Sequence, residues 1–131
     1  MFVDASAIIG IIGDEEDRLS LSARLAQASK VYVSPIVLYE ATAGLARKRA
    51  CPIEQAEELV DLFIEETSAQ IIQISAAIGR EAIKAFRIYG KGRHKADLNM
   101  GDCFAYACAQ AHRIPLLFKG NDFGHTDIVV A

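Results

Sequence analysis

Val31-Tyr32-Val33-Ser34-Pro35 joins a short β-rich run directly to the start of a helix, and this junction decides the fold. Valine and tyrosine favour strands, whereas Ser34 is a preferred helix N-cap and Pro35 suits the first helical position. Similar β-rich runs occur elsewhere, at residues 1–4, 71–72 and 116–118. Strands that alternate with helices are typical of a parallel sheet. We therefore predict an α/β fold with a central, mostly parallel β-sheet flanked by helices.

Helical patterns fill the segments between these runs. The helix that begins at Ser34-Pro35 is expected to extend to about residue 47, and further helices are expected at residues 52–66, 75–89 and 100–112. The second of these has an apolar stripe and an acidic face, and the third has an apolar and a basic face. In the last helix the side chains are small or apolar on almost every face, so we predict that it is the central and most buried helix.

The composition fits one soluble domain that spans residues 1–131. A chain of 131 residues with 52% hydrophobic residues can bury one sizeable core. The net charge of −3 means that any contact with nucleic acid must come from a local basic patch. No signal peptide or membrane span is recognisable, and three cysteines without C-x-x-C spacing suggest buried thiols in a reducing cytoplasm.

Four acidic residues interrupt stretches that otherwise have the composition of a protein core. They are Asp4, Glu40, Asp102 and Asp122. An unpaired buried carboxylate is energetically costly, so four of them in apolar surroundings suggest that they share a cation. Asp4 directly follows the first strand, at the edge of a parallel sheet where ligands usually bind.

Each acid also has a simpler explanation. Asp4 could cap the helix that follows it, with Ser6 either orienting its carboxylate or satisfying the backbone, and Asp102 could form a capping pair with Asn99. Asp122 lies in a turn-rich segment where aspartate is common. Glu40 has no such capping role, because the partner position for Ser34 would be Val37. Asp97 is assigned to a solvated loop.

The pattern of residue types indicates the chemistry. Carboxylates without a histidine or cysteine cluster suit a hard cation, Mg²⁺ with Mn²⁺ as a substitute, and such ions activate water for phosphodiester hydrolysis. Residues 80–95 contain six Lys or Arg residues against Glu81 alone, which would attract a polyanion to the acidic site. The candidate RNA contacts are Arg87, Lys91, Arg93, His94 and Lys95.

Nearly the whole chain resembles the PIN-domain ribonucleases, and among them the VapC toxins of type II toxin-antitoxin pairs. The resemblance is carried by Phe2-Val3-Asp4-Ala5-Ser6-Ala7, by Tyr39-Glu40, and by the segments 98–106 and 116–123. It implies a single PIN-like domain that cleaves cellular RNA, with the four acids as the catalytic residues of a Mg²⁺ site. It also implies a VapB-like antitoxin and a homodimer.

One segment departs from the family pattern. Many relatives have Thr-x-Asp-x-Asp-Phe after the fourth strand, whereas this chain has Phe118-Lys119-Gly120-Asn121-Asp122-Phe123. Gly120 occupies the position of the first of those acids. The expected direct metal ligands are therefore Asp4 and Asp102, with Glu40 binding directly or through water.

Two other classes of function are compatible with parts of the sequence. The altered segment near Asp122 leaves open a catalytically idle PIN-like domain that only binds RNA or protein. A Mg²⁺-dependent phosphatase or a receiver module is disfavoured, because those proteins need a second acid close to the first and Asp4 is followed by Ala5 and Ser6.

Overall fold

The computed structural model describes all 131 residues and consists of one parallel sheet with helices packed around it. The four strands lie in the order β3-β2-β1-β4, and every pairing between them is parallel. The strands are β1 (Phe2–Val3), β2 (Tyr32–Val33), β3 (Gln70–Ile71) and β4 (Leu116–Leu117). The helices are α1 (Ala5–Ile12), α2 (Arg18–Leu25), α3 (Pro35–Arg49), α4 (Ile53–Thr67), α5 (Ala76–Tyr89) and α6 (Met100–His112), and a 3₁₀ turn covers Asp122–His125.

The two central strands form the middle of the hydrophobic core. All four residues of β1 and β4 have no exposed surface, and Val3 pairs with Leu117 across the two strands. Side chains on both faces of these strands are buried, as expected for a parallel sheet covered on both sides. The chain leaves β1 at Asp4 and leaves β4 at Phe118, so the residues that follow both strands emerge at the same edge of the sheet.

Local sequence determines where the helices begin. The Ser34 hydroxyl accepts a hydrogen bond from the backbone N–H of Val37 at 3.2 Å, and Pro35 occupies the first turn of α3. Ser75 caps α5 in the same way through the N–H of Ile78. The prediction of an N-cap at Ser34 is therefore confirmed, and its side chain is completely buried.

The predicted helices and strands occur within one or two residues of their expected bounds, and α6 is the helix with the most buried residues. Its buried residues are Gly101, Cys103, Ala105, Ala107, Cys108 and Ala109. All three cysteines are free thiols, and Cys103 and Cys108 are buried, as expected. No helix has the length and apolar character needed to cross a membrane.

Two features differ from the sequence pattern. Helix α2 was not predicted, because its sequence is largely polar and it buries only Leu21. Phe86 follows the apolar period of α5 but is 41% exposed, whereas the buried residues of this helix are Ile78, Ala82 and Ala85.

We expect the buried cap of α3 to contribute measurably to stability. Ser34→Ala removes the only side-chain acceptor of the Val37 N–H, and loss of an N-cap costs about 1–2 kcal/mol. Chemical denaturation should show that loss. Ser20→Ala, an exposed substitution in α2, serves as the control and should leave the free energy of unfolding within about 0.5 kcal/mol of wild type. Equal stability of both variants would contradict the assignment of Ser34 as a structural cap.

Candidate active site

Asp4 lies at the carboxyl end of β1 and caps α1. Its Oδ2 accepts hydrogen bonds from the Ser6 backbone N–H at 3.1 Å and from the Ser6 hydroxyl at 2.6 Å. The Ser6 hydroxyl in turn accepts from the backbone N–H of Lys119 at 3.0 Å, which links the segment after β4 to Asp4. Both bonds from Ser6 fix the same oxygen of Asp4 and leave Oδ1 for another partner.

Glu40 reaches the same region from the middle of α3. Its carboxylate lies directly against the backbone of Gly101, so that a β-carbon at position 101 would overlap the Glu40 carboxylate. The absence of a side chain at Gly101 leaves room beside its backbone. The structure shows that the room is occupied by the side chain of Glu40.

Asp102 and Asn99 form a reciprocal cap at the start of α6. The Asn99 Oδ1 accepts from the Asp102 N–H at 2.9 Å, and the Asp102 Oδ2 accepts from the Asn99 N–H at 3.1 Å. The capping role considered from the sequence is therefore real. It engages only one oxygen of Asp102, so capping and cation binding are compatible in the same residue.

These side chains line one cavity of about 370 Å³. Three of the four predicted acids, Asp4, Glu40 and Asp102, are on its wall, together with Ser6 and Asn99. They come from the end of β1, from α3 and from the start of α6. Residues far apart in the sequence thus meet at the edge of the sheet where the sequence placed the site.

Asp122 has a more distant position than the other three acids. It is exposed, begins the 3₁₀ turn after β4, and is absent from the wall of the cavity. Its charge is nevertheless close enough to raise the pKa of both Asp4 and Asp102. The structure therefore places Asp122 at the edge of the acidic cluster.

Burial and mutual repulsion disfavour the charged forms of these acids. Burial raises the pKa of Asp4, although the hydrogen bonds from Ser6 oppose that shift. The pKa of Glu40 is raised to about 7, first by burial and then by the charges of Asp4 and Asp102. The pKa of Asp102 is raised to about 6, mainly by burial. A nearby cation would reverse this penalty by favouring the carboxylates.

The donor set fits a hard divalent cation. All candidate ligands are carboxylate oxygens, Asp4 is only 4% exposed, and Glu40 has repulsive neighbours without a compensating hydrogen bond. No group of three or more Asp, Glu, His or Cys side chains converges closely enough to hold an ion in the conformation described. Carboxylates repel one another, so small side-chain rotations toward a cation would be needed to complete the coordination shell.

A basic loop connects α5 to Asn99, which lines the cavity. Residues Gly90 and Leu98 form a parallel β-bridge, and the loop between them ends at Asn99 on the cavity wall. The loop lysines, Lys91 and Lys95, are exposed, as is Arg87 on α5.

Two of the predicted RNA contacts also have structural roles. The Arg93 guanidinium lies 5.3 Å from the centre of the Phe86 ring. His94 Nδ1 accepts from the Ala96 N–H at 3.0 Å, and its ring packs edge-on against Tyr89. His94 therefore helps to hold the loop in shape.

Two cavity residues were missed by the sequence reasoning. Arg47 and Tyr39 both line the cavity, and Tyr39 is 76% exposed. The signal for Arg47 was its spacing of seven residues from Glu40, which places both side chains on one face of α3. That signal was obscured by the run Arg47-Lys48-Arg49, which has the pattern of an ordinary basic helix end.

Comparison with known proteins identifies the family and the fold. The PIN domain family profile matches residues 1–129. A VapC ribonuclease of Rhizobium meliloti is 42% identical over 97% of this chain and 98% of its own length. The crystal structure of VapC20 from Mycobacterium tuberculosis, a Sarcin-Ricin loop cleaving toxin, superimposes with a TM-score of 0.78 at 19% identity and covers 99% of this chain and 97% of that chain. A toxin-antitoxin complex from Klebsiella pneumoniae gives a TM-score of 0.73 at 22% identity, with 99% and 95% covered.

Fold and carboxylate cavity together define the class of protein, a nuclease of the α/β type in which acids from different elements meet at one edge of a parallel sheet. The chain belongs to the PIN domain family and, within it, to the VapC ribonucleases. The predicted family and fold are thus confirmed, and PIN-domain ribonucleases are in general metal-dependent enzymes.

We predict that Gly101→Ala displaces the Glu40 carboxylate, which occupies the space of the missing side chain. Because that carboxylate is the flexible end of a side chain and can rotate away, the change should cost only about 1 kcal/mol, the low end of overpacking. Gly79→Ala is the matched control, because nothing lies within 4 Å of a β-carbon there and the change should stabilise α5 by about 0.5–1 kcal/mol.

A double variant identifies the cause of the loss. Glu40→Ala should relieve the overlap, so that Gly101→Ala costs much less in that background than in wild type. Urea denaturation of the four combinations measures this coupling. Additive free energies would mean that Glu40 and Gly101 do not meet as described.

Proposed function

We propose that this chain is a Mg²⁺-dependent endoribonuclease that acts as the toxin of a VapBC-like type II toxin-antitoxin pair and cleaves structured cellular RNA. The observation that carries the proposal is the convergence of Asp4, Glu40 and Asp102 on one cavity beside a basic loop. Neither feature alone defines a nuclease. Together they provide ligands for a cation and an attractive surface for a polyanion.

The free oxygens of Asp4 and Asp102 would hold the ion, and Glu40 would bind it directly or through water. Bound Mg²⁺, or Mn²⁺ in its place, lowers the pKa of a water molecule and offsets charge on the phosphate. Ser6 and Asn99 orient the two aspartates through the hydrogen bonds described above. Asp122 adds negative charge at the rim and acts as an accessory catalytic residue.

The surroundings of the cavity direct RNA toward it. Arg87, Lys91, Arg93 and Lys95 form no ion pair with an acidic side chain, and their charge remains available for phosphates. His94 supports the loop that presents them. Because the loop ends at Asn99, a backbone bound there is led to the carboxylates.

The proposed protein partners are a VapB-like antitoxin and a second copy of the chain. Exposed apolar side chains on α3 and α4 support contacts with protein, namely Tyr39, Ile53 and Leu62. The structural similarity to a toxin-antitoxin complex also supports the antitoxin. The proposed place of action is the cytoplasm, where RNA substrates are abundant.

Cleavage of RNA by purified protein tests the activity. Wild type should cut total bacterial RNA in Mg²⁺ and lose activity in EDTA, and Asp102→Asn should lower the rate at least about 100-fold because a metal ligand loses its charge. Gel electrophoresis of end-labelled RNA should show internal cuts. Asp61→Asn, an exposed substitution on α4, controls for the lost charge and should cleave normally.

The same experiment distinguishes an idle RNA- or protein-binding domain from an enzyme. An idle domain would leave the RNA intact at every metal concentration. Cleavage that survives both EDTA and Asp102→Asn would identify a contaminating ribonuclease and contradict the proposal.

Substitutions in the basic loop should weaken RNA binding without changing the affinity for Mg²⁺. The double variant Arg93→Ala/Lys95→Ala should bind RNA more weakly and reduce the slope of log K against log salt by up to about 1.4, since each lost contact with single-stranded RNA contributes about 0.7. Thermal stabilisation by Mg²⁺ should stay at the wild-type value. Lys30→Ala/Arg113→Ala removes the same charge near the opposite ends of the strands and is the control. Unchanged RNA affinity in the loop variant would show that the loop is only a solubilising surface.

A further inference from the structure

The last turn of α3 contains three consecutive cations with different surroundings. Lys48 pairs with Glu15, and Arg49 donates a hydrogen bond to the carbonyl of Ile12. Both therefore tie α3 to α1 and to the loop that follows it. Arg47 forms neither a hydrogen bond nor an ion pair and instead lines the carboxylate cavity. Two of the three cations thus have a structural role, and one has none.

Arg47 lies on the face of α3 that lines the cavity. Glu40, Ala43, Gly44 and Arg47 follow the spacing of one helix face, and all four line the cavity. A β-carbon at Gly44 would meet the Ile9 side chain at 2.5 Å and Arg47 Nη2 at 4.0 Å. The small residue therefore lets Ile9 lie close to the helix backbone, and the guanidinium lies beside it at an ordinary van der Waals distance.

An unpaired guanidinium beside three carboxylates needs an explanation. No carboxylate oxygen lies within ion-pair distance of it, so it does not neutralise the acids in the way that Lys48 neutralises Glu15. A guanidinium offers several donors in a planar fork that matches the oxygens of a phosphate group. The cavity therefore contains carboxylates that could bind a cation and one unpaired guanidinium that could bind an anion.

We propose that Arg47 binds a backbone phosphate of the RNA adjacent to the phosphate that is cleaved. This inference rests on the proposed nuclease function and assigns to the active site a contact outside the basic loop. The guanidinium lies beside Gly44, one helical turn from Glu40 and about 6 Å along the axis, so its partner is a neighbouring phosphate of the same strand. Arg47 thereby fixes the register of the strand across the carboxylates.

Two structural roles compete with this one. A cation in the last turn stabilises the helix dipole, and a cation near acids lowers their mutual repulsion. The first predicts an effect on stability alone. The second predicts an effect on the affinity for Mg²⁺. A phosphate contact predicts neither, but changes RNA affinity and its dependence on salt.

Binding is measured with a fluorescein-labelled stem-loop RNA and the Asp102→Asn protein, which keeps the RNA intact. Adding Arg47→Met should weaken binding about tenfold and reduce the salt slope by about 0.7, as expected for one lost charged contact. Lys30→Met removes a charge near the opposite ends of the strands and should change affinity less than twofold. Arg47→Lys should restore the salt slope but only part of the affinity, because the charge returns without the fork.

Cleavage by otherwise wild-type protein gives an independent measure. Arg47→Met should raise KM about tenfold and leave kcat within about threefold, because the contact positions the strand and takes no part in bond breaking. The increase in melting temperature with Mg²⁺ should equal that of wild type.

Each alternative outcome overturns a defined statement. Unchanged RNA affinity and KM in Arg47→Met, with normal cleavage by wild type, would overturn the role of Arg47 and leave the nuclease proposal intact. A larger thermal response to Mg²⁺ with unchanged RNA binding would assign Arg47 to the carboxylates instead, because loss of a neighbouring cation strengthens Mg²⁺ binding. Failure of wild type to bind or cleave any RNA would overturn both proposals.

Discussion

The burial of neighbouring carboxylates, together with the repulsion between them, is the constraint on which the rest of the site depends. Burial raises the pKa of Asp4, Glu40 and Asp102. The charges of Asp4 and Asp102 raise that of Glu40 further, and the charge of Asp4 adds to the shift of Asp102. A fold holds such groups together only if the remaining structure is stable enough to tolerate the repulsion. Here the three acids come from separate elements anchored in one core, with β1 and β4 completely buried beneath them. Burial of the apolar side chains of the sheet therefore offsets the free-energy cost of holding the carboxylates together.

The arrangement also depends on hydrogen bonds that have two purposes. Asp4 caps α1 and Asp102 caps α6, and in both residues the cap orients the carboxylate through Oδ2. The sequence allowed one acid to cap a helix and to bind a cation, and the geometry is compatible with both roles because each cap uses only one carboxylate oxygen. Glu40 has no such support, and it is positioned by the absence of a side chain at Gly101. That difference explains why a cap accounts for two of these acids and not for the third.

Much of the fold was predictable because its signals are local. Ser34-Pro35 marks a helix start through backbone chemistry, and apolar runs mark the strands, so neither depends on distant residues. The structure differs where tertiary packing decides. Phe86 follows the apolar period of α5 but is exposed, and α2 packs through one leucine in a polar sequence. The sequence indicated three acids that line the cavity, but it did not indicate the arginine beside them. Arg47 differs from Lys48 and Arg49 only in what surrounds it.

The distribution of charge around the cavity indicates how a protein with a net charge of −3 can act on a polyanion. The acids are confined to a recess, whereas the basic loop ending at Asn99 and the free guanidinium of Arg47 belong to different elements of its wall. On the proposed function, an RNA backbone that contacts both also passes the carboxylates that line the same cavity. Without a cation those carboxylates repel the phosphate, and with one they attract it. On this proposal, RNA binding to the basic loop and to Arg47 depends on salt. Binding of the phosphate at the carboxylates depends on the metal, and cleavage therefore depends on the metal as well.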